Sequence, residues 1–230
     1  MVALGLTRIL GVAIERTAYR PLRNSPRISI LISAIGVSVL MQNVALVAFG
    51  GRPLAFPVPP ALDQILILGN VRIMNISLVI PVITGVSLLV LRHVVQNTKT
   101  GMAMRAVSTD LSAARLMGID VNKTISFTFA VGTVLAAIGG VMWATRYPML
   151  HPTMGLMPGL KCFIAAVVGG IGSIPGAVLG GMLLGFLEIM LVAAMPALSG
   201  YRDAFAFILL IIVLLVKPSG LLGKHQIEKV

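Results

Sequence analysis

Charge is scarce in this chain of 230 residues, and acidic charge scarcest: Asp, Glu, Lys and Arg together make 11% of it, with 7 acids against 18 lysines and arginines. No soluble domain of this size has enough interior to hide the 57% of apolar residues that stand in place of charge, because the surface-to-mass ratio falls only slowly with size. Cysteine is down to Cys162, which excludes a disulfide framework and reads as a small apolar filler. The three histidines, His93, His151 and His225, stand too far apart for metal-ligand spacing. No G-x-x-x-x-G-K-[ST] run occurs, so the chain has no phosphate cradle of its own. No nucleophile and base sit at catalytic spacing either. What the chain does have is apolar residues, 57% of it, and a mean hydropathy of +1.01. A disordered chain needs the opposite composition. The reading is an all-α, polytopic membrane protein, and its formal charge of +11 is then read by position along the chain rather than as a nucleic-acid footprint.

Apolar runs of spanning length are separated by short charged segments. Ile28–Phe49 is long enough to cross, since about 20 residues at 1.5 Å rise cover a ~30 Å hydrocarbon core. Ile76–Leu91 is shorter and holds Pro81, which a membrane helix tolerates when neighbours satisfy the freed carbonyl. Thr124–Thr145 is a full span, with Trp143 and Tyr147 as aromatic anchors. Ala204–Val216 closes the series, with Arg202 and Lys217 as snorkelling ends. Met1–Ile14 is short and interrupted by Arg8, so it reads as the tail of a helix, with the expectation that upstream spans are missing. The whole of 1–230 reads as one transmembrane domain.

Basic residues choose the sides. Glu15–Arg27, Arg92–Lys123 and Lys217–Val230 carry 12 of the 18 Lys and Arg, against five in the opposite loops, a positive-inside bias that places the first three in the cytoplasm. Keeping that bias requires both ends of the glycine-rich stretch Lys161–Pro196 to lie on the outer side. The sequence Val168-Gly169-Gly170-Ile171-Gly172-Ser173-Ile174-Pro175-Gly176 predicts a half-helix that dips in, turns and returns, with Gly169, Gly170, Gly172, Pro175 and Gly176 as pathway or hinge candidates. Small residues recur four apart at Gly132, Ala136 and Gly140, at Gly172, Gly176 and Gly180, and at Ala177, Gly181 and Gly185. Such spacing serves close helix packing, and Gly132–Gly140 is also a candidate pathway face. Glu188 is the one acid deep in an apolar run. It fits either a partnered packing role or the coupling group of an ion- or proton-driven secondary carrier.

The loop Arg92–Lys123 is the most informative stretch. Asn97–Gly101 predicts a turn, and Met102–Gly118 predicts one amphipathic helix. Met104, Val107, Leu111, Ala114 and Gly118 share one face, and Arg105, Ser108, Ser112 and Arg115 the other, with Asp110 midway between two arginines. An apolar face poor in Trp, Phe and Leu suits protein contact better than a leaflet surface.

Here the residues resemble a family. Ser112-Ala113-Ala114-Arg115-Leu116-Met117-Gly118 has the spacing of the E-A-A-x-x-x-G coupling loop of ABC-importer permeases, with Ser112 in place of Glu. Glu15-Arg16-Thr17-Ala18-Tyr19-Arg20-Pro21-Leu22-Arg23 resembles the E-R-x-x-Y-R-P-L-R stretch of LivH-type branched-chain amino-acid permeases. Thr100–Ala106 with Asp110, Gly118 and Ile119, the run Gly169–Ala177, and the tail Lys217-Pro218-Ser219-Gly220-Leu221-Leu222-Gly223 complete the likeness. The resemblance implies a permease subunit of the bacterial inner membrane with a cytoplasmic C-terminus. Its implied partners are a second related permease, two cytoplasmic ABC ATPases and a periplasmic or surface substrate-binding protein. It implies no cofactor held by this chain, ATP being used by the partners. Arg105, Asp110, Ala113, Ala114, Gly118 and Ile119 are the residues it assigns to ATPase coupling.

Overall fold

The computed structural model describes residues 2–22, 25–60, 62, 64–68 and 71–223. Arg23, which closes the Glu15 motif, Asp63, and the stretch 224–230 with His225 and Glu228 lie outside the described residues. The elements run α1 (Val2–Ile14), a π turn (Glu15–Tyr19), α2 (Arg27–Phe49), β1 (Leu54–Ala55), β2 (Ile65–Leu68), β3 (Val71–Met74), α3 (Asn75–Asn97), α4 (Lys99–Thr109), α5 (Leu111–Leu116), α6 (Val121–Arg146), β4 (Met149–Leu150), α7 (Leu156–Gly169), α8 (Ile174–Ala194), a 3₁₀ turn (Pro196–Tyr201) and α9 (Arg202–Val216). Among the described residues five helices are long and apolar enough to cross a membrane, and α7 is a shorter apolar one. The chain divides into two compact units, Met1–Pro152 and Thr153–Val230.

In the first unit α1 packs on α6. Gly11 makes the approach possible, because a Cβ there would sit 2.3 Å from Thr133 Cγ2. Glu15 is fully buried, and the Tyr19 ring lies 5.1 Å from that of Phe129, tilted by 45°. The backbone widens into a π turn from Glu15 to Tyr19, so the helix end adjusts its register where these side chains are seated. α3 outruns the apolar run Ile76–Leu91 at its far end. Arg92 Nε donates to Gln96 Oε1 at 3.2 Å, and such i,i+4 pairs carry a helix past its apolar span. At the end of α6 the rings of Trp143 and Tyr147 lie 4.6 Å apart, tilted by 44°.

Two small antiparallel pairs lie in the connections: β1 with β4, and β2 with β3 in the register Ile65 to Met74. They were not expected from the sequence. Two short runs rich in β-branched residues, Ile-Leu-Ile-Leu and Val-Arg-Ile-Met, either side of Gly-Asn in the sequence were the available signal, since such a dipeptide favours a hairpin.

The second unit is built on α7, α8 and α9 around Ile164, Val168, Leu184 and Ala206. Here the expected half-helix pair is corrected. α7 is short, 14 residues, but the returning limb α8 has 21, a full span. Nor does the turn between them stop in mid-bundle. The amides of Leu221 and Leu222 donate to the carbonyls of Val168 and Gly169, both at 2.9 Å. The turn therefore reaches the end of the unit where α9 terminates, and the tail after α9 caps α7's last carbonyls. Lys161, Glu188 and Asp203 meet at the opposite end, so both ends of the α7–α8 hairpin lie on one side, as the charge count required.

Candidate functional site

The loop between α3 and α6 is an elbow of two helices, not one. Thr98 starts the first piece: its hydroxyl accepts from Gly101 N at 3.0 Å and donates to the carbonyl of Val94. α4 therefore begins at Lys99, inside the expected Asn97–Gly101 turn. Gly101 lies against α3, where a Cβ would come within 2.2 Å of the Val94 carbonyl oxygen, so only glycine allows α4 to fold back this tightly. Asp110 breaks the expected continuous helix. Its backbone is extended, with φ −151° and ψ 115°, and its amide closes α4 onto Ala106 O. Its carboxylate accepts from the amides of Ser112 at 2.8 Å and Ala113 at 3.0 Å, an N-cap for α5.

Gly118 ends the elbow. Its φ of +78° is a left-handed conformation, its amide donates to Arg115 O at 3.0 Å, and the amide of Ile119 donates to Ala114 O at 3.1 Å. This is a Schellman C-cap, in which the glycine is needed for its backbone rather than for close approach. No atom lies within 4 Å of a Cβ built there. Ala114 is turned inward and is 3% exposed, whereas Ala113, Arg105 and Asp110 face outward. Leu116 and Met117, which the sequence did not single out, are 89% and 81% exposed at the corner. α6 then starts from Asp120, whose carboxylate caps the amide of Lys123. That hydrogen bond, with the Lys123 ammonium 3.2 Å away, holds the Asp120 carboxyl below the usual range.

The glycine candidates of the second unit are packed. A Cβ on Gly169 would meet Gly176 O at 2.0 Å, and one on Gly176 would meet Gly169 O at 2.4 Å. A Cβ on Gly180 would likewise run into Ala165 O, and one on Gly170, at φ +110°, into the backbone nitrogen of Gly223. This is helix crossing at backbone distance, with Pro175 inside the first turn of α8, where its missing N–H costs nothing. Gly172, at φ +89°, stands clear at the tip. Gly132, Gly140 and Gly185 likewise have open space around them.

Glu188 is engaged. Lys161 Nζ lies 2.9 Å from Glu188 Oε1 and 2.9 Å from Asp203 Oδ1, tying α7, α8 and α9 together. The Glu188 contact is one of charges rather than a well-aligned hydrogen bond. A carboxylate already held by an ammonium is a packing partner, and the carrier reading built on Glu188 finds no support. Among the described residues no cluster of three potential metal ligands occurs.

Comparison with known proteins bears on the whole chain. The family described as branched-chain amino acid transport system, permease component, matches residues 1–214. The high-affinity branched-chain amino acid transport system permease protein LivH of Escherichia coli K12 is 40% identical over 99% of this chain and 74% of its own length. BraD of Pseudomonas aeruginosa, of the same description, is 40% identical over 98% of this chain and 74% of its own. The ribose import permease protein RbsC of Haemophilus influenzae is 27% identical over 81% and 59%. No solved structure matches.

Proposed function

The chain belongs to the permease-component family of branched-chain amino-acid transport systems, and from that premise we propose that it is a membrane-spanning subunit of an ATP-driven importer of branched-chain amino acids. Its partners are two cytoplasmic ABC ATPases, a second related permease, and a binding protein that delivers substrate at the outer face. It works in the bacterial inner membrane with its C-terminus in the cytoplasm, on the side of the basic segments.

The observation that carries this reading is the elbow. Asp110 and Gly118 cap both ends of α5, and Thr98 pins α4 to α3. A short, doubly capped helix joined rigidly to spanning helices transmits force, whereas a floppy loop absorbs it. Leu116 and Met117 at its corner are the apolar knob for a cleft in the ATPase. Closure of the ATPase dimer on ATP then pushes the elbow, and α3 and α6 move with it as rigid bodies, switching the pathway between its inward and outward openings.

The test is recovery of the tagged chain from native membranes in mild detergent. A P-loop ATPase and a second apolar permease should co-purify, and Leu116→Asp with Met117→Asp should lose the ATPase while the chain still inserts. Recovery of the chain alone, or undiminished ATPase with the double variant, overturns the reading.

A further inference from the structure

The Glu15 motif has one half that packing uses and one half that it does not. Glu15 and Tyr19 turn in against α6, while Arg16 and Arg20 turn out into a recess of about 280 Å³ lined also by Asp120, Asn122, Lys123 and Ser126. Among the described residues the charge lining that recess is unbalanced. The one acid among them, Asp120, accepts from the Lys123 amide at 3.1 Å and pairs with the Lys123 ammonium at 3.2 Å. The Ser126 hydroxyl is given to Glu15. Among the described residues no carboxylate pairs with Arg16 or Arg20.

Two arginines four apart on a helical turn present two planar forks to one point, and a guanidinium fork matches phosphate oxygens in bidentate fashion. The depth of the recess narrows the choice of phosphate. It sits where α1 gives way to its π turn and where α6 begins, the boundary between apolar span and basic segment. Below it, Ile9 lies on the face of Arg16, seven residues back. With Leu6 and Leu10 it leaves an apolar ridge, these three being 67%, 57% and 50% exposed. A cationic recess above an apolar ridge fits a phosphodiester that carries acyl chains.

We propose that Arg16 and Arg20, with Lys123 beside them, bind the phosphate of an anionic inner-leaflet lipid such as phosphatidylglycerol, with its chains along Leu6, Ile9 and Leu10. The site is separate from the elbow's apolar corner, and its occupancy is read by lipid content rather than by transport.

The test is native mass spectrometry of the delipidated transporter, all subunits present, titrated with phosphatidylglycerol or phosphatidylethanolamine. The wild type should retain phosphatidylglycerol selectively. Arg16→Gln with Arg20→Gln should weaken that retention by about tenfold or more, and Arg16→Lys with Arg20→Lys should fall between. Size exclusion of each variant complex verifies assembly. Unchanged retention in the glutamine variant overturns the proposal, as does an equal loss in Arg92→Gln with Lys99→Gln, which would make the effect diffuse surface charge. Displacement of the lipid by millimolar inorganic phosphate overturns the lipid assignment in favour of a free-anion site. Loss of ATPase subunits with lipid retention intact overturns it in favour of a protein interface.

Discussion

The hydroxyl of Ser126 donates to Oε2 of Glu15 across 2.7 Å, joining the end of α1 to the first turns of α6 around a carboxylate with no exposure to solvent. A buried charge is costly to strand, so each group satisfying it matters more than a surface bond would. Ser126→Ala should therefore destabilise the subunit by about 1–3 kcal/mol, and Glu15→Leu with Ser126→Ala should recover part of that loss. Thermal unfolding of the detergent-solubilised chain reads both.

Lys161 serves two carboxylates at once. Removing the cation leaves Glu188 and Asp203 facing each other across the helix ends. Lys161→Met is expected to cost about 1–2 kcal/mol, between the scales for exposed and buried pairs because Lys161, Glu188 and Asp203 keep 26%, 19% and 47% exposure, whereas Asp203→Asn leaves Glu188 still paired and should cost less. If the order were reversed in thermal melts, the lysine would not be the hub of the three helices.

Glycines on α8 separate by what faces them. Gly180→Ala drives a methyl group into the Ala165 carbonyl and should lower stability by about 1–3 kcal/mol, with loss of folded yield. Gly185→Ala meets open space and should be neutral or slightly stabilising. Equal yields for the two variants would refute close packing of α7 on α8.

The elbow's two caps make a paired prediction. Gly118→Ala forces a side chain into a left-handed backbone at about 1–2 kcal/mol, and Asp110→Ala removes two amide partners at about 1 kcal/mol. Both should lower ATP-driven uptake more than they lower the amount of subunit in the membrane. Asp110→Asn, which still caps, should retain uptake.

The spans were legible because apolar runs leave few alternatives, and that Lys161–Pro196 begins and ends at one end of its unit followed from counting charges. The split at Asp110 was hidden. Met104, Val107, Leu111 and Ala114 keep helical phase across it, and that phase outweighed the cap signal of an Asp preceding Leu-Ser-Ala. Ala114 and Gly118 were read alike as small contact residues, but one is buried and the other is a backbone device. Pairing of Lys161 with Glu188 and Asp203 joins groups distant in the chain, and no local spacing announces it.

The capping of α7 by the tail also sets an order of events during synthesis. The carbonyls of Val168 and Gly169 are made early, yet their donors, the amides of Leu221 and Leu222, are translated only after α9. Until then the last carbonyls of α7 lack these protein donors and are left to water at the end of the span. The Lys217–Gly223 stretch thus acts as a latch closed after the last span, so a chain truncated just past Val216 would carry every helix and still leave the second unit unlocked, a natural substrate for membrane proteases.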